Sequence, residues 1–213
     1  MELTPKQKYH QTIAETVIKN LEKRQMEGYY CPDKESAVQL ALELMPKGSS
    51  VAWGGSMTLI ETGLLEKIRT EDYQVLDRES ASTIEQQKEV YSKIAVCDTF
   101  LMSTNAITVD GELVNIDGRG SRVAFLCFGP EQVIVLTGMN KLVQDVESGW
   151  KRVKVSAAPP NTTRLGRETP CAVTGKCHDC HAPGCICSQT VITRHSTIPG
   201  RIKVILIGEE LGY

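Results

Sequence analysis

The sequence predicts an α/β fold of the Rossmann-like type, in which helices flank a mostly parallel sheet that also carries a β-hairpin and a cysteine-rich insertion. Apolar runs of strand length alternate with segments of helical periodicity through the first half of the chain. Asp110 and Gly111 stand between two short β-prone runs, which is typical of a hairpin. Five of the 8 cysteines fall between Cys171 and Cys187, so a single segment is set apart.

Most of the alternation between predicted strands and predicted helices lies in the first half of the chain. Thr4 and Pro5 predict a capped helix start, after which apolar residues recur every four positions as far as Leu21. A second helix is predicted from Asp33 until Gly48 interrupts its pattern. Helices between successive strands make those strands parallel. Strands are then predicted at 50–53, 73–76 and 98–103, and helices at 60–68 and 82–94.

The second half adds the hairpin and the insertion. The hairpin is predicted over 106–115, and a buried strand over 133–137. Apolar residues at four-residue spacing predict a helix over 139–155 that ends at the following prolines. A final strand is predicted at 201–207. We expect a single domain over residues 1–213, with the cysteine-rich loop 170–188 inserted before that strand.

The composition excludes some classes of binding partner. The 24 basic and 26 acidic side chains give a net charge of −2 without long runs of either sign, so no nucleic-acid partner is expected. The sequence shows neither an apolar signal segment nor a run near the ~20 residues of a membrane span. We therefore expect a cytoplasmic protein without membrane insertion. Cys31, Cys97 and Cys127 are expected to be small buried hydrophobic residues.

The clustered cysteines predict a metal site. Thiolates select iron–sulfur clusters or zinc, and four from one loop can ligate a cubane. Only Cys177 and Cys180 form a C-x-x-C knuckle, whereas a zinc ribbon pairs two distant knuckles. We therefore expect an iron–sulfur cluster, of the [4Fe–4S] type, with zinc as the alternative because His178 and His181 are suitable ligands.

Two further interpretations of the same thiols stay open. Residues 177–181 match C-x-x-C-H, the attachment pattern of c-type haem, although that attachment normally needs export. Metal-free thiols that respond to oxidants are the other interpretation.

The loop between the predicted strand 50–53 and the next helix is a candidate anion site. Gly54, Gly55 and Ser56 can present backbone N–H groups to an anion, and the Ser56 and Thr58 hydroxyls add donors. A tight turn capped by Ser56 explains the same residues without a ligand.

A dense polar stretch between residues 105 and 122 predicts a pocket. Turn chemistry is the competing explanation, since Asn, Asp and Gly favour turns for local reasons. The ligand-binding candidates are Asn105, Asn115, Arg119 and Arg122, and the acid–base candidates are Glu112 and Asp117.

Residues 103–118, 128–130, 170–180 and 199–213 together resemble the lactate-utilisation (LUD) domain family in a short, stand-alone form. The resemblance implies a fold like that of the ribose-phosphate isomerase, CoA-transferase and formyltetrahydrofolate cyclo-ligase group, whose ligands lie at the carboxyl ends of parallel strands. It also implies a C-x5-C-x2-C-x6-C ligand set, which falls on Cys171, Cys177, Cys180 and Cys187. Cys185 departs from that pattern as an extra thiol that can substitute for Cys187.

The function implied by this resemblance is that of an iron–sulfur redox accessory protein in lactate or related organic-acid utilisation. The sequence has no flavin or NAD motif, so a redox partner protein or dehydrogenase subunit would have to carry the hydride chemistry. The alternative is a binder of, or enzyme for, a phosphorylated or CoA-linked anionic small molecule, with a structural metal. A thiol-based sensor is a third hypothesis. Whether the chain is an enzyme, and whether it forms a homo-oligomer, stays open.

Overall fold

A computed structural model describes residues 2–213 and contains two sheets with helices packed around them. A π-helical segment, Val153–Ala157, joins the seventh and eighth helices. The strands are β1 (Glu27–Cys31), β2 (Ser50–Trp53), β3 (Gln74–Val75), β4 (Thr99–Met102), β5 (Ala106–Thr108), β6 (Leu113–Asp117), β7 (Gln132–Gly138), β8 (Leu142–Val143), β9 (Gln189–Thr193) and β10 (Ile202–Ile207). The helices are α1 (Pro5–Lys23), α2 (Lys34–Glu43), α3 (Met57–Glu61), α4 (Leu64–Thr70), α5 (Ile84–Ile94), α6 (Ser121–Cys127), α7 (Val146–Arg152), α8 (Ala158–Arg164) and α9 (Pro170–Thr174).

The main sheet has six strands in the order β1-β10-β7-β4-β2-β3, and every pairing in it is parallel. The predicted Rossmann-like α/β class is confirmed. A second sheet has the order β8-β5-β6-β9, and in it β5 and β6 form the predicted antiparallel hairpin. Gly111 adopts φ +87° in the hairpin turn, a left-handed conformation that glycine reaches without steric cost.

The core lies on both faces of the main sheet. In β10, Val204 and Leu206 belong to the cluster on the α1 face, whereas Ile205 and Ile207 belong to the cluster on the α2 face. The two-residue period of a strand causes this alternation, and burial of both faces explains the continuous apolar run.

The isolated cysteines differ in exposure. Cys31 and Cys97 are buried as expected, but Cys127 is exposed at the end of α6, so that part of the expectation is wrong. Among the described residues, no helix is both apolar enough and long enough to cross a membrane.

The strand order creates a crevice. From β2 the chain first adds β3 on one side, and β4 then pairs with β2 on the other side. Connections that diverge in this way leave a crevice beyond the carboxyl ends of the two central strands. Gly54 and Gly55 follow β2 at that edge, and Ser103 and Thr104 follow β4.

The helix predicted over 139–155 is wrong in its first part. The chain forms a short turn and β8 before Asp145 caps α7 by accepting a hydrogen bond from the Ser148 N–H at 2.7 Å. The predicted stop at the prolines is also wrong, because Pro159 and Pro160 lie in the first turn of α8. Proline is tolerated in the first turn of a helix, and its fixed φ near −65° suits the helical conformation there.

The remaining differences between the predicted and the observed helices and strands are local. The helix predicted over 60–68 is divided at Gly63, which adopts φ +74° between α3 and α4. Strands β1 and β9 and helix α6 were not predicted, because their residues do not show a clear apolar period.

Candidate functional site

A crevice pocket of about 340 Å³ lies beyond the carboxyl ends of β2, β4 and β6. This volume is in the range of small-molecule sites. Of the predicted ligand-binding residues, the lining includes Gly55, Ser56, Asn105, Arg119 and Arg122.

Lys141 lines this pocket and is only 3% exposed. Its Nζ donates to Thr58 Oγ1 at 2.7 Å and to Ser103 Oγ at 3.0 Å. The Thr58 hydroxyl donates in turn to the Leu211 carbonyl at 3.2 Å, and the Ser103 hydroxyl to the Thr104 carbonyl at 3.3 Å. Both hydroxyl protons are thus directed at carbonyls, which leaves both oxygens to accept from the amine.

The electrostatic environment of Lys141 disfavours its charged form. Burial, followed by repulsion from Arg152 and Arg122, lowers the pKa of Lys141 to about 7, against a smaller opposing effect of Glu61. In the described part of the chain, no carboxylate forms a salt bridge with Lys141. Sequence reasoning missed this residue because it placed Lys141 inside a helix, although a lysine just after the buried run of β7 was the available signal.

Arg122 fastens the walls of the pocket together. Its side chain is 11% exposed, and both terminal nitrogens are fully engaged by protein acceptors. In this structure Arg122 therefore positions the pocket walls and has no spare Nη donor for a ligand. Its Nη1 donates to Ser103 O (2.9 Å) and Asn115 Oδ1 (2.5 Å), its Nη2 donates to Asn105 Oδ1 (2.9 Å) and Ile116 O (2.8 Å), and its Nε lies 3.5 Å from Asp117 Oδ2.

The glycine loop after β2 accommodates arginine side chains. A Cβ on Gly54 would lie 2.8 Å from Cγ of Arg122, and a Cβ on Gly55 would lie 3.0 Å from an Nη atom of Arg78. Ser56 Oγ accepts from the Leu59 N–H at 3.3 Å, so it caps α3 as the turn explanation requires.

Replacing Gly54 with alanine is expected to lower the free energy of unfolding by about 1–3 kcal/mol, because the new methyl group would displace Arg122 from its network. Gly55→Ala is the matched control, since the added methyl group would contact only the flexible end of the Arg78 side chain. Urea unfolding of both variants measures the difference. Equal losses would contradict this role of Gly54.

The two predicted acid–base residues are not brought together. Asp117 lines the pocket, where its Oδ1 accepts from the Gly120 N–H at 3.0 Å. Glu112 lies at the other end of β6, in the hairpin turn, where it pairs with Arg24 at 3.4 Å. Of the two candidate acid–base residues, only Asp117 therefore lines the crevice pocket, because an antiparallel hairpin places its turn and its open end far apart.

The rim of the pocket is strongly cationic. Asp117 is the single acidic side chain in its lining, and within residues 2–213 none of the rim arginines forms a salt bridge. A concave surface with this charge attracts anions. The rim arginines are Arg78, Arg119, Arg164 and Arg167.

The cysteine lobe, residues 170–188, encloses a second cavity of about 80 Å³ that all five clustered thiols line. Cys171, on α9, lies 3.4 Å from the Thr162 hydroxyl and 3.2 Å from the Thr169 hydroxyl. Asp179 adopts φ +53° inside the C-x-x-C knuckle, a left-handed conformation that is uncommon for residues other than glycine. The cavity is also lined by His178 and His181.

The thiols differ in acidity. Burial raises the pKa of Cys171, but hydrogen bonds from Thr162, Thr169 and nearby backbone N–H groups outweigh it, so the pKa is lowered. Burial, together with the negative charges of Cys185, Cys177 and Cys171, raises the pKa of Cys187 to about 12. The thiols are thus close enough to affect one another's ionisation.

The sequence-based expectation of a metal-binding site is not supported by the side-chain geometry. Among the described residues, no three or more His, Cys, Asp and Glu side chains are placed so that together they can hold a metal ion. The lobe gathers the thiols around one cavity without arranging them as a formed coordination site.

The cysteine lobe and the crevice pocket share a wall. Ile116, Val153, Ala158, Ile186 and Cys187 line both cavities. Of the five clustered thiols, Cys187 is the one that also lines the crevice pocket.

The sequence matches the model of the LUD domain over residues 14–207. The chain belongs to the LUD domain family. This family is associated with lactate utilisation. The family resemblance predicted from the sequence is confirmed.

One solved structure supports the fold of this LUD domain. A DUF162 family protein from Deinococcus radiodurans is similar with a TM-score of 0.53 and 14% identity, over 97% of this chain and 99% of that one. At this identity the likeness shows the fold alone. The eIF2B delta structure from Chaetomium thermophilum has a TM-score of 0.34 and 18% identity, over 65% of this chain and 54% of its own. No match was found among curated proteins.

Proposed function

We propose that this LUD domain is an iron–sulfur redox accessory protein in lactate or related organic-acid utilisation. The observation that carries the proposal is that one short segment places all five of its thiols around a single cavity. The ligand set is Cys171, Cys177, Cys180 and Cys187, with Cys185 as a substitute for Cys187.

The donor set fits a cluster chemically. Soft thiolates favour iron–sulfur clusters. Burial and then the neighbouring thiolate charges raise the pKa of Cys187, and bound iron would offset the repulsion between those charges. Hydrogen bonds outweigh the effect of burial and lower the pKa of Cys171, which favours the thiolate form that a metal ligand needs. A bound cluster would supply one-electron transfer, and the hydride chemistry of an organic acid would remain with a dehydrogenase partner.

The chain's own residues connect the lobe to the rest of the domain. Lys154 pairs with Asp179 at 3.1 Å and lies over the ring of Trp150, which fastens the C-x-x-C knuckle to the segment that forms the shared wall. An organic acid bound in the crevice pocket would have Cys187 as its neighbour. This arrangement supports a redox role beside a bound acid.

Anaerobic purification, followed by the visible spectrum and by iron, sulfide and zinc analysis, tests this function. We expect about four irons per chain and a visible band that dithionite bleaches. Cys177→Ser should lose both, whereas Cys127→Ser should lose neither, because Cys127 is exposed at the end of α6. Comparing Cys185→Ser with Cys187→Ser identifies the fourth ligand. One zinc per chain without colour would contradict the proposal.

A second candidate function is supported by the cationic crevice pocket. A binder of, or enzyme for, a phosphorylated or CoA-linked small molecule would use the rim arginines for its anionic groups. In that case the metal in the cysteine lobe would be structural, with zinc as the alternative ion. Thermal stabilisation by coenzyme A, but not by adenosine, would support this function.

A further inference from the structure

We propose that Lys141 is a catalytic residue that forms an imine with the carbonyl carbon of a small 2-oxo acid bound in the crevice pocket. The inference deepens the proposed function by naming a substrate class. It rests on that function for the choice of a 2-oxo acid, the oxidised form of a 2-hydroxy acid such as lactate.

The first step of the argument is the orientation of the amine. Nζ of Lys141 directs two N–H groups to the hydroxyl oxygens of Thr58 and Ser103. Those oxygens are in turn fixed by their own bonds to backbone carbonyls. A tetrahedral nitrogen bound to Cε and donating twice has one position left, and Lys141 lines the crevice pocket. In the neutral amine that position is the nitrogen lone pair, and the proposal assigns it to a molecule bound in that pocket.

The second step is protonation. Lys141 is 3% exposed and has no salt bridge within residues 2–213. Desolvation and neighbouring cations activate a lysine nucleophile by favouring the neutral amine. Arg152 and Arg122 are the neighbouring cations here. A substantial share of this amine is neutral at neutral pH.

The third step is substrate class. The rim arginines, with Asp117 as the single acidic side chain in the lining, favour a carboxylate on the substrate. The neutral amine requires an electrophilic carbon. A 2-oxo acid carries both groups on adjacent atoms, whereas a 2-hydroxy acid lacks the electrophile.

The reaction is balanced without an oxidant. The Nζ lone pair adds to the carbonyl carbon, the two amine protons leave with the carbonyl oxygen as water, and a C=N bond replaces the C=O bond. Thr58 and Ser103 hold the amine, and so they are positioning residues. The imine nitrogen would then take up one proton from water, become cationic and draw electrons from the neighbouring carbon.

Trapping with pyruvate and sodium cyanoborohydride tests the proposal on the anaerobically purified full chain. Hydride reduction converts the imine into a stable carboxyethyl group, which peptide mass spectrometry locates. At pH 7 we expect Lys141 to be modified on the order of a hundredfold faster than exposed lysines, which are almost wholly protonated. Lactate should give no modification.

Lys151→Met is the matched control, since its exposed side chain pairs only with Glu147, and it should leave the labelling of Lys141 unchanged. Ser103→Ala should slow labelling while the protein stays folded. Labelling spread over surface lysines, or none at Lys141 in the wild type, would overturn the inference. The visible spectrum, recorded on the same sample, separates this outcome from failure of the cluster proposal, because labelling does not depend on colour.

Discussion

Lys141→Met is expected to raise the free energy of unfolding at pH 7 on the order of 2–4 kcal/mol, although it removes the proposed nucleophile. In the folded state the pKa of Lys141 is about 7, below the usual 10.5. The unfolded chain therefore binds this proton more tightly than the folded chain. Methionine has a similar length and carries no charge to desolvate, so it removes this cost. The gain is reduced by about 1 kcal/mol for each of the two hydrogen bonds that Nζ donates to Thr58 and Ser103.

The pH dependence of this effect has a definite sign. Below the folded pKa of about 7 the cost is complete and constant. Between this value and the ordinary pKa of 10.5 the unfolded chain binds more protons, so the stability of the wild type rises with pH. The advantage of Lys141→Met should therefore shrink as the pH rises through this window.

Urea unfolding of the wild type and the variant at several pH values above 7 measures the change. Only the difference between the two proteins is compared, so titrating cysteines contribute equally and cancel. Lys151→Met serves as the surface control and should show no such pH-dependent difference. An advantage of Lys141→Met that stays constant across the window would contradict the lowered pKa.

The sequence predicted the parts of the fold that depend on local pattern. Alternating apolar runs and helical periods determine a parallel sheet, and an Asp-Gly pair determines a hairpin turn. Pro159 and Pro160 were misread because a proline is neutral in the first turn of a helix and disruptive in later ones. The π-helical segment Val153–Ala157 runs directly into α8, and the sequence does not show at which residue the new α-helix begins.

The sequence likewise predicted only those parts of the candidate site that depend on local pattern. The clustered cysteines lie on one loop, so their spacing was enough to place them together. The crevice pocket instead collects residues from the ends of β2, β4, β6 and β7 and from α8. Polarity alone identified Asn105 and Arg122, but it also selected Glu112, which belongs to the opposite end of the hairpin. Lys141 could be recognised as a site residue only from the strand order, because that order determines which strands have neighbouring carboxyl ends.

Arg122→Ala is expected to lower the free energy of unfolding by about 3–5 kcal/mol. The loss exceeds that of one contact, because Arg122 satisfies four oxygen acceptors and pairs with the Asp117 carboxylate. Removing the guanidinium takes this donor from Asn115 Oδ1 and from the Ser103 and Ile116 carbonyls in a largely buried place, and an unpaired buried acceptor costs about 1–3 kcal/mol. Asn105 Oδ1 keeps one partner, the Ile116 N–H at 2.9 Å. Urea unfolding measures the change. A cost similar to that of a surface substitution would contradict the network.

Arg119→Ala is the matched control, because Arg119 is exposed on the rim of the same pocket and makes no salt bridge within residues 2–213. Its effect on stability should stay within about 0.5 kcal/mol, while it weakens anion binding. Arg122→Lys should lose most of the network, since an ammonium group cannot replace a planar fork that bonds to both asparagine oxygens. Because Arg122 also holds the Ser103 carbonyl, the same variant should slow labelling of Lys141, which would link the stability of the pocket walls to the position of the amine.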